Sequence, residues 1–323
     1  MSENRQIPRY LIVLFLAILT LVGIGIYKTT RHHDGPSTGQ VLGVSTEKTY
    51  GSAPLIKFIP VPQPLKTPLP SPYVNAKNMV LLDSNSKFLL FSQGQNEQVP
   101  VASLTKVMTA TLVIDSGKLD EVVTLTPEDL NVIGSHIGFV PGEKIKVSEL
   151  LKALLIMSSN EAGMALARTV AGSVPTFVEQ MNERARTLGL TQTSYDDPHG
   201  LSAKSLSSAF DQAILFNYAL NYPVFREIIS LPQVTAVSVN GLAHDLKNSN
   251  RLVTDEMHMD GIIGGKTGYT PEAGHCLVSA VTRDSHTIIA VILNTASPLN
   301  TASAVESKKL LEWGFANYSW PLN

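Results

Sequence analysis

Three short runs in this 323-residue chain carry side chains able to do chemistry together: Ser103-Leu104-Thr105-Lys106, Ser158-Ser159-Asn160 and Lys266-Thr267-Gly268. Serine is a poor nucleophile until a neighbour takes its proton. A lysine can take it once burial or a nearby cation has lowered its pKa, at about 1.4 kcal/mol per unit. A second hydroxyl, Ser158, could relay a proton to a leaving group, and the Asn160 amide could hold a substrate amide. The cation of Lys266 and the hydroxyl of Thr267 suit an anionic end of a substrate. Gly268 leaves room for a second backbone to come close.

None of these runs is diagnostic alone. Ser-x-x-Lys recurs at Ser45–Lys48 and Ser84–Lys87, and Ser-x-Asn at Ser2–Asn4 and Ser238–Asn240, whereas Lys-Thr-Gly occurs once. What separates them is the element that must hold them. Ser103 opens a predicted helix, so Lys106 at i+3 lies on the same face, within reach of the hydroxyl. Amides at a helix N-terminus also favour developing negative charge. Ser84–Lys87 falls in a hairpin turn and Ser45–Lys48 in a proline-rich stretch, with no scaffold to bury the lysine. Singly, each motif has an ordinary reading: a helix N-cap with a surface lysine, a cap for the next helix, a solvated turn. Three in this order are hard to explain that way.

The elements follow from periodicity. NMVLLD and KFLLFS, around Ser84-Asn85-Ser86, read as a hairpin. Apolar recurrence at three and four predicts helices over 103–116, 147–157, 161–171, 175–188 and 205–220, with a last one near 303–317. CLVSAVTR and HTIIAVILN form two strands around Asp284-Ser285. Ser158 and Asn160 are expected in a loop between two apolar helices, and Lys266–Gly268 on an edge strand that runs into a turn. Strands at both ends with helices between them imply an α/β fold, one antiparallel sheet with a helical insertion.

Ahead of this domain, Tyr10 to Tyr27 is a run of eighteen uncharged residues between Arg9 and Lys28. As a helix it rises roughly 27 Å, about the hydrocarbon thickness of a bilayer. It runs into Lys28-Thr29-Thr30-Arg31, a poor cleavage site, so residues 1–29 are expected to be a cytoplasmic end and an uncleaved N-terminal transmembrane helix. Residues 30–75 are expected to be a linker. Seven prolines between Pro54 and Pro72 favour extended polyproline II there. Residues 76–323 then form the globular domain.

Composition narrows the classes. At 44% hydrophobic, the chain buries a sizeable core. A net charge of −2 with no basic run argues against nucleic acid as a partner. One cysteine, Cys276, excludes an internal disulfide and any CxxC site. GIIGGKT at 261–267 misses a phosphate-binding loop by one residue, and Pro271 and Gly274 follow where a helix would have to start. There is no HExxH, the histidines are scattered, and His199 reads as a loop-stabilising residue.

Ser-x-x-Lys, Ser-x-Asn and Lys-Thr-Gly in this order resemble the signature of the penicillin-binding proteins and class A β-lactamases. From about Ala76 to Tyr318 the chain is similar to the low-molecular-mass D-alanyl-D-alanine carboxypeptidases, serine peptidases of cell-wall maturation. VASLTKVMTA, PGEKIKVSELLKALLIMSSNEAGMALA, DPHGL, FREI, NSNRL, GGKTGYTPEAGHCLVSA and SKKLLEWGF carry the likeness. It implies a β-lactamase/transpeptidase-like α/β fold: an antiparallel sheet flanked by helices, with a mostly helical subdomain. It also implies an acyl-enzyme on Ser103, Lys106 as base, and Ser158 with Asn160 assisting proton transfer and substrate placement. Lys266 and Thr267 would take the substrate carboxylate, and the backbone N–H groups of Ser103 and Tyr269 would form an oxyanion hole. The substrates implied are peptidoglycan stem peptides, with β-lactams as covalent inhibitors. No cofactor or metal is required, and the domain is expected outside the cytoplasmic membrane.

The chain departs from the resemblance at two places. Residues 300–305 lack an arginine that several relatives use for the carboxylate, and Ser303 stands there instead. The C-terminal β-domain of some relatives has no counterpart before Asn323. A class A β-lactamase is disfavoured by Ser159 where Asp is needed and by the lack of Glu between Arg184 and Arg226. A DD-endopeptidase of the same fold and a non-catalytic peptidoglycan-binding protein are the alternatives.

Overall fold

The computed structural model describes residues 59–254, 257–295 and 297–321. The apolar run Tyr10–Tyr27 and the linker up to residue 58 lie outside the described residues.

The elements that position the site are, in chain order, β1 (Gln63–Pro64), β2 (Ala76–Asp83), β3 (Leu89–Gln93), α1 (Lys106–Asp115), α2 (Val147–Ile156), α3 (Asn160–Ala171), α4 (Val174–Thr187), α5 (Ala209–Ala219), α6 (Pro223–Ser230), β4 (Gln233–Val237), β5 (Ala243–Lys247), β6 (Ile262–Thr270), β7 (Gly274–Arg283), β8 (His286–Thr295), α7 (Ala302–Asn317) and β9 (Tyr318–Ser319). Five of the strands form one antiparallel sheet in the order β6-β7-β8-β2-β3. The predicted β2–β3 hairpin is present, and the two strands read around Asp284-Ser285 pair as β7 and β8. Chain segments from the two ends of the domain meet where β8 pairs with β2, Val291 opposite Val80.

The near-continuous apolar reading of β2, β7 and β8 has a simple cause, because both faces of the sheet are covered. Side chains alternate across a strand. Leu81, Leu277, Ile288 and Ile292 therefore join Leu310 and Leu311 of α7 in one core. Their neighbours Val80, Val278, Ile289 and Val291 join the core of the helical side, which includes Val107, Leu151, Leu154 and Phe216. The catalytic candidates lie on that second side, at the edge formed by β6.

Several boundaries differ from the expectation. The helix predicted over 205–220 starts at Ala209, because Leu206–Ser207 is used in a short pairing with Val99–Pro100 and Ser208 caps the helix by accepting from Asp211 N at 3.1 Å. The α6 helix and the β4–β5 hairpin have no counterpart in the sequence reading. Within the proline-rich stretch, Gln63–Pro64 pairs with β9, Leu65 N donates to Asn317 O at 2.8 Å, and Trp313 Nε1 donates to Pro70 O at 2.9 Å. That part of the stretch is laid along the domain.

Candidate active site

Ser103 sits in a single 3₁₀ turn, Ala102–Thr105, which runs directly into α1 at Lys106. Two glycines let other segments close on this turn. Gly200 has φ +84°, and a Cβ there would overlap the Ala102 carbonyl oxygen. Gly268 on β6 stands so near that a Cβ would lie 3.0 Å from Ser103 N and 3.1 Å from Val101 O. The sequence reading of Gly268 as a point of close backbone approach therefore holds, and the partner is the turn that carries Ser103.

Lys106 is fully buried. Its Nζ lies 2.8 Å from Ser103 Oγ, 2.7 Å from Asn160 Oδ1 and 2.7 Å from His199 O. Burial holds its pKa well below the ordinary lysine value, and the Lys266 cation lowers it further, against an opposing pull from Asp197. A neutral amine has two N–H donors and one lone pair. With Asn160 Oδ1 and His199 O taking the two donors, the lone pair is left for the Ser103 hydroxyl proton.

The Asp197–Ser202 loop builds the third of these contacts. Asp197 Oδ1 accepts from His199 N at 2.9 Å and from Gly200 N, and Oδ2 accepts from Ser202 N at 2.6 Å. Although burial pushes the Asp197 carboxyl up, its bonds with the His199 side chain and these amides win and hold it at about 2. The loop turns two carbonyls onto α1. Pro198 O accepts from Thr109 Oγ1 at 2.6 Å, and His199 O accepts from Lys106 one helical turn earlier. His199 is thus a loop residue, as its sequence context suggested, but its carbonyl reaches the site.

Ser158 has φ +64°, and its buried Oγ has no hydrogen-bond partner among the described residues. An unpaired buried hydroxyl on strained backbone persists only where surroundings impose it, which is common at functional sites. Ser159 caps α3 through Ala162 N at 3.2 Å. Asn160 is the first residue of α3 rather than part of the loop, as the sequence reading had it, because that cap starts the helix one residue earlier. Its amide is used twice: Oδ1 accepts from Lys106, and Nδ2 donates to Ile133 O at 2.7 Å.

Lys266, Thr267, Gly268 and Tyr269 lie on β6, at the edge of the sheet. Lys266 is fully buried, its Nζ donates to Thr267 O at 2.9 Å, and burial pushes its pKa down to about 7. Thr267 Oγ1 lies 2.7 Å from Ser249 Oγ. Tyr269 is 58% exposed and stacks on His275 with ring centroids 4.4 Å apart. Ser303 is buried in the first turn of α7.

The two decoys that fall within the described residues, Ser84–Lys87 and Ser238–Asn240, stand apart from this site. Lys87 donates to the carbonyl of Ser84, not to its hydroxyl, which bonds Asn217 Oδ1 at 2.5 Å. Asn240 accepts from Lys144 N at 3.1 Å at a hairpin tip. Sequence reasoning did not assign Ser249, Asp197 or the carbonyls of His199 and Ile133, although NSNRL and DPHGL were already part of the likeness. Backbone acceptors leave no residue-type signal.

Comparison with known proteins agrees with this geometry. A family model described as D-alanyl-D-alanine carboxypeptidase matches residues 66–297. The D-alanyl-D-alanine carboxypeptidase DacF of Bacillus subtilis is 33% identical over 75% of this chain and 63% of its own length. The D-alanyl-D-alanine endopeptidase of Pseudomonas aeruginosa is 32% identical over 78% of this chain and 82% of its own. Among solved structures, D-alanyl-D-alanine carboxypeptidase from Mycobacterium tuberculosis superposes with a TM-score of 0.72 at 29% identity, covering 80% of this chain and 99% of that one. The chain thus spans somewhat under two thirds of the DacF relative. With the fold, the three motifs and the contact of Ser103 with the buried Lys106 in agreement, this chain belongs to the D-alanyl-D-alanine carboxypeptidase family of serine peptidases.

Proposed function

We propose that the chain is a serine-type D-Ala-D-Ala carboxypeptidase that removes the terminal D-alanine of peptidoglycan stem peptides through an acyl-enzyme on Ser103. The observation that carries this reading is the buried Lys106 Nζ, 2.8 Å from Ser103 Oγ, with its other two contacts fixed by Asn160 and His199.

Neutral Lys106 takes the Ser103 proton as Oγ attacks the carbonyl carbon of the penultimate D-alanine. The oxyanion that forms accepts from the N–H groups of Ser103 and Tyr269, a contribution of about 3 kcal/mol per donor. Lys266 and Thr267, with Ser249 behind Thr267, hold the terminal carboxylate. The proton passes by way of Ser158 to the amide nitrogen, the C–N bond breaks, and D-alanine leaves as the amine. Water, giving a proton to Lys106, then attacks the Ser103 ester, and Lys106 passes that proton to Ser103 Oγ as the ester C–O bond breaks. A β-lactam enters the same path, with its ring amide as the bond that opens.

Endopeptidase action uses the same acyl-enzyme and differs only in the leaving group. A substrate that ends in a free carboxylate suits the Lys266–Thr267 pair better, which favours carboxypeptidase action. Fluorescent penicillin added to the full chain should label wild type and not Ser103→Ala. Folded wild type that stays unlabelled would overturn the catalytic reading and favour a wall-binding role.

The same reading places the domain outside the cytoplasmic membrane on a single N-terminal span, supported by the uncharged run Tyr10–Tyr27. Retention of the chain in membranes through alkaline carbonate washing, with loss on deletion of residues 1–29, is the check.

A further inference from the structure

The wall of the site opposite β6 carries a side chain that the mechanism does not use. Ile133 is 78% exposed, the most exposed isoleucine among the described residues. It is not on a loose surface loop. Five hydrogen bonds fasten residues 133–137 to residues 157–161: Ser135 Oγ to Met157 O at 2.8 Å, Asn160 N to Ser135 O at 3.0 Å, Asn160 Nδ2 to Ile133 O at 2.7 Å, His136 Nδ1 with Glu161 Oε1 at 2.9 Å, and Ile137 N to Glu161 Oε2 at 3.1 Å.

Gly134 tightens the fit. Its φ is +94°, and a Cβ there would come 2.8 Å from Asn160 Nδ2 and 3.6 Å from Leu201 Cδ2. The backbone on both sides of the Ile133 carbonyl is therefore pressed against Asn160. Holding a bare isoleucine rigidly in water gains nothing for the fold, since exposed apolar surface stabilises only when something covers it.

We infer that Ile133 is a specificity residue that covers the aliphatic side chain of the residue preceding D-Ala-D-Ala in the substrate. The inference rests on the functional reading above and deepens it. The terminal carboxylate belongs to Lys266 and Thr267 on β6, so the acyl-donor part of the peptide runs past the other wall. A substrate amide held there by Asn160 Nδ2, through the hydrogen not given to Ile133 O, lies beside Ile133. The side chain next to that amide meets the isoleucine. On the facing strand Tyr269 is the other exposed apolar group. The ligand class is a peptide with a long methylene side chain in the third position from its C-terminus.

The test compares two substrates on the full chain: diacetyl-L-lysyl-D-alanyl-D-alanine, and acetyl-L-alanyl-D-alanyl-D-alanine, which lacks the methylene stem. Ile133→Ser should lower kcat/KM for the lysyl peptide about tenfold, equivalent to about 1.4 kcal/mol. It should change the alanyl peptide by less than twofold, and Ile133→Leu should restore the preference. Equal losses on both peptides, or none on either, would overturn the inference. Penicillin labelling of Ser103, measured on the same samples, separates the two failures. If Ile133→Ser still labels at the wild-type rate but the substrate preference is unchanged, only the specificity role falls. If wild type does not label, the functional reading falls and takes this inference with it.

Discussion

Ser249 Oγ and Thr267 Oγ1 are hydrogen-bonded at 2.7 Å, joining the segment after β5 to the edge strand β6 beside the Ser103 turn. Ser249 N also donates to Ile156 O at the end of α2, two residues before Ser158. One residue thereby ties the second motif to the third. On the functional reading proposed above, this hydroxyl pair and Lys266 recognise the substrate carboxylate, and Ser303, buried in the first turn of α7, stands away from solvent. Ser249→Ala should raise KM for a carboxylate-terminated peptide about fivefold, within the ~1 kcal/mol expected of one hydrogen bond, and leave the rate of penicillin labelling at saturation unchanged. Steady-state kinetics at two temperatures would check it.

The two buried lysines make opposite demands on pH. Lys106 must be neutral to accept a proton, and burial has lowered its pKa, so kcat/KM should fall as pH drops and Lys106 becomes protonated. Lys266 must be charged to bind a carboxylate, and its pKa is near 7. KM for a peptide acid should therefore rise above that pH, whereas a substrate whose terminal carboxylate is amidated should show no such rise. A pH profile of both substrates distinguishes the two lysines.

Gly200 and Gly268 both touch the Ser103 turn but should fail differently. Gly200→Ala adds a methyl against backbone at a positive φ, where no side chain can move aside, and should cost more than about 3 kcal/mol of stability. Gly268→Ala meets contacts of 3.0–3.1 Å and needs no change of φ region. It should leave the melting temperature within a few degrees while slowing acylation about tenfold or more, since a displacement of a few tenths of an ångström at the nucleophile is expensive. Thermal unfolding and labelling rates measured together decide.

Asp197 makes the fold sensitive to acid. Its folded pKa of about 2 lies below the ordinary carboxylate value, so its contribution, about 2 kcal/mol, is fully present above the unfolded pKa near 4. It is lost as pH falls through about 2. Asp197→Asn should remove this pH dependence and lower stability at neutral pH by a similar amount. It should also slow acylation, because the loop that aims His199 O at Lys106 relaxes. Denaturant unfolding of both proteins at pH 3 and 7 provides the comparison.

The Ser103–Lys106 contact and the edge strand that carries Lys266 were legible because they are written in residue types at helical and strand spacing. Lys106 at i+3 from Ser103 and the alternation through β7 and β8 survive translation into structure almost unchanged. The rest depends on long-range closure. That His199 supplies a carbonyl, and that Asn160 starts a helix while bracing Ile133, follows from how distant loops fold back on α1. Nothing in the local sequence marks which backbone oxygen will face inward. The α6 helix and the β4–β5 hairpin were missed for a related reason. In the hairpin, Val237 at the end of β4 and Val239 in the turn are exposed apolar residues that blur the alternation by which a half-buried strand is recognised.

The pairing of Gln63–Pro64 with Tyr318–Ser319 also has a mechanical consequence. Tension applied to the chain at residue 59 would load this short ribbon in shear and pass through Trp313 and Asn317 into α7. That helix lies on the face of the sheet away from α1, so the sheet itself stands between the helix and the side that carries Ser103. A pull on the chain ahead of the domain is therefore taken up by α7 and its contacts before it reaches the Ser103 turn.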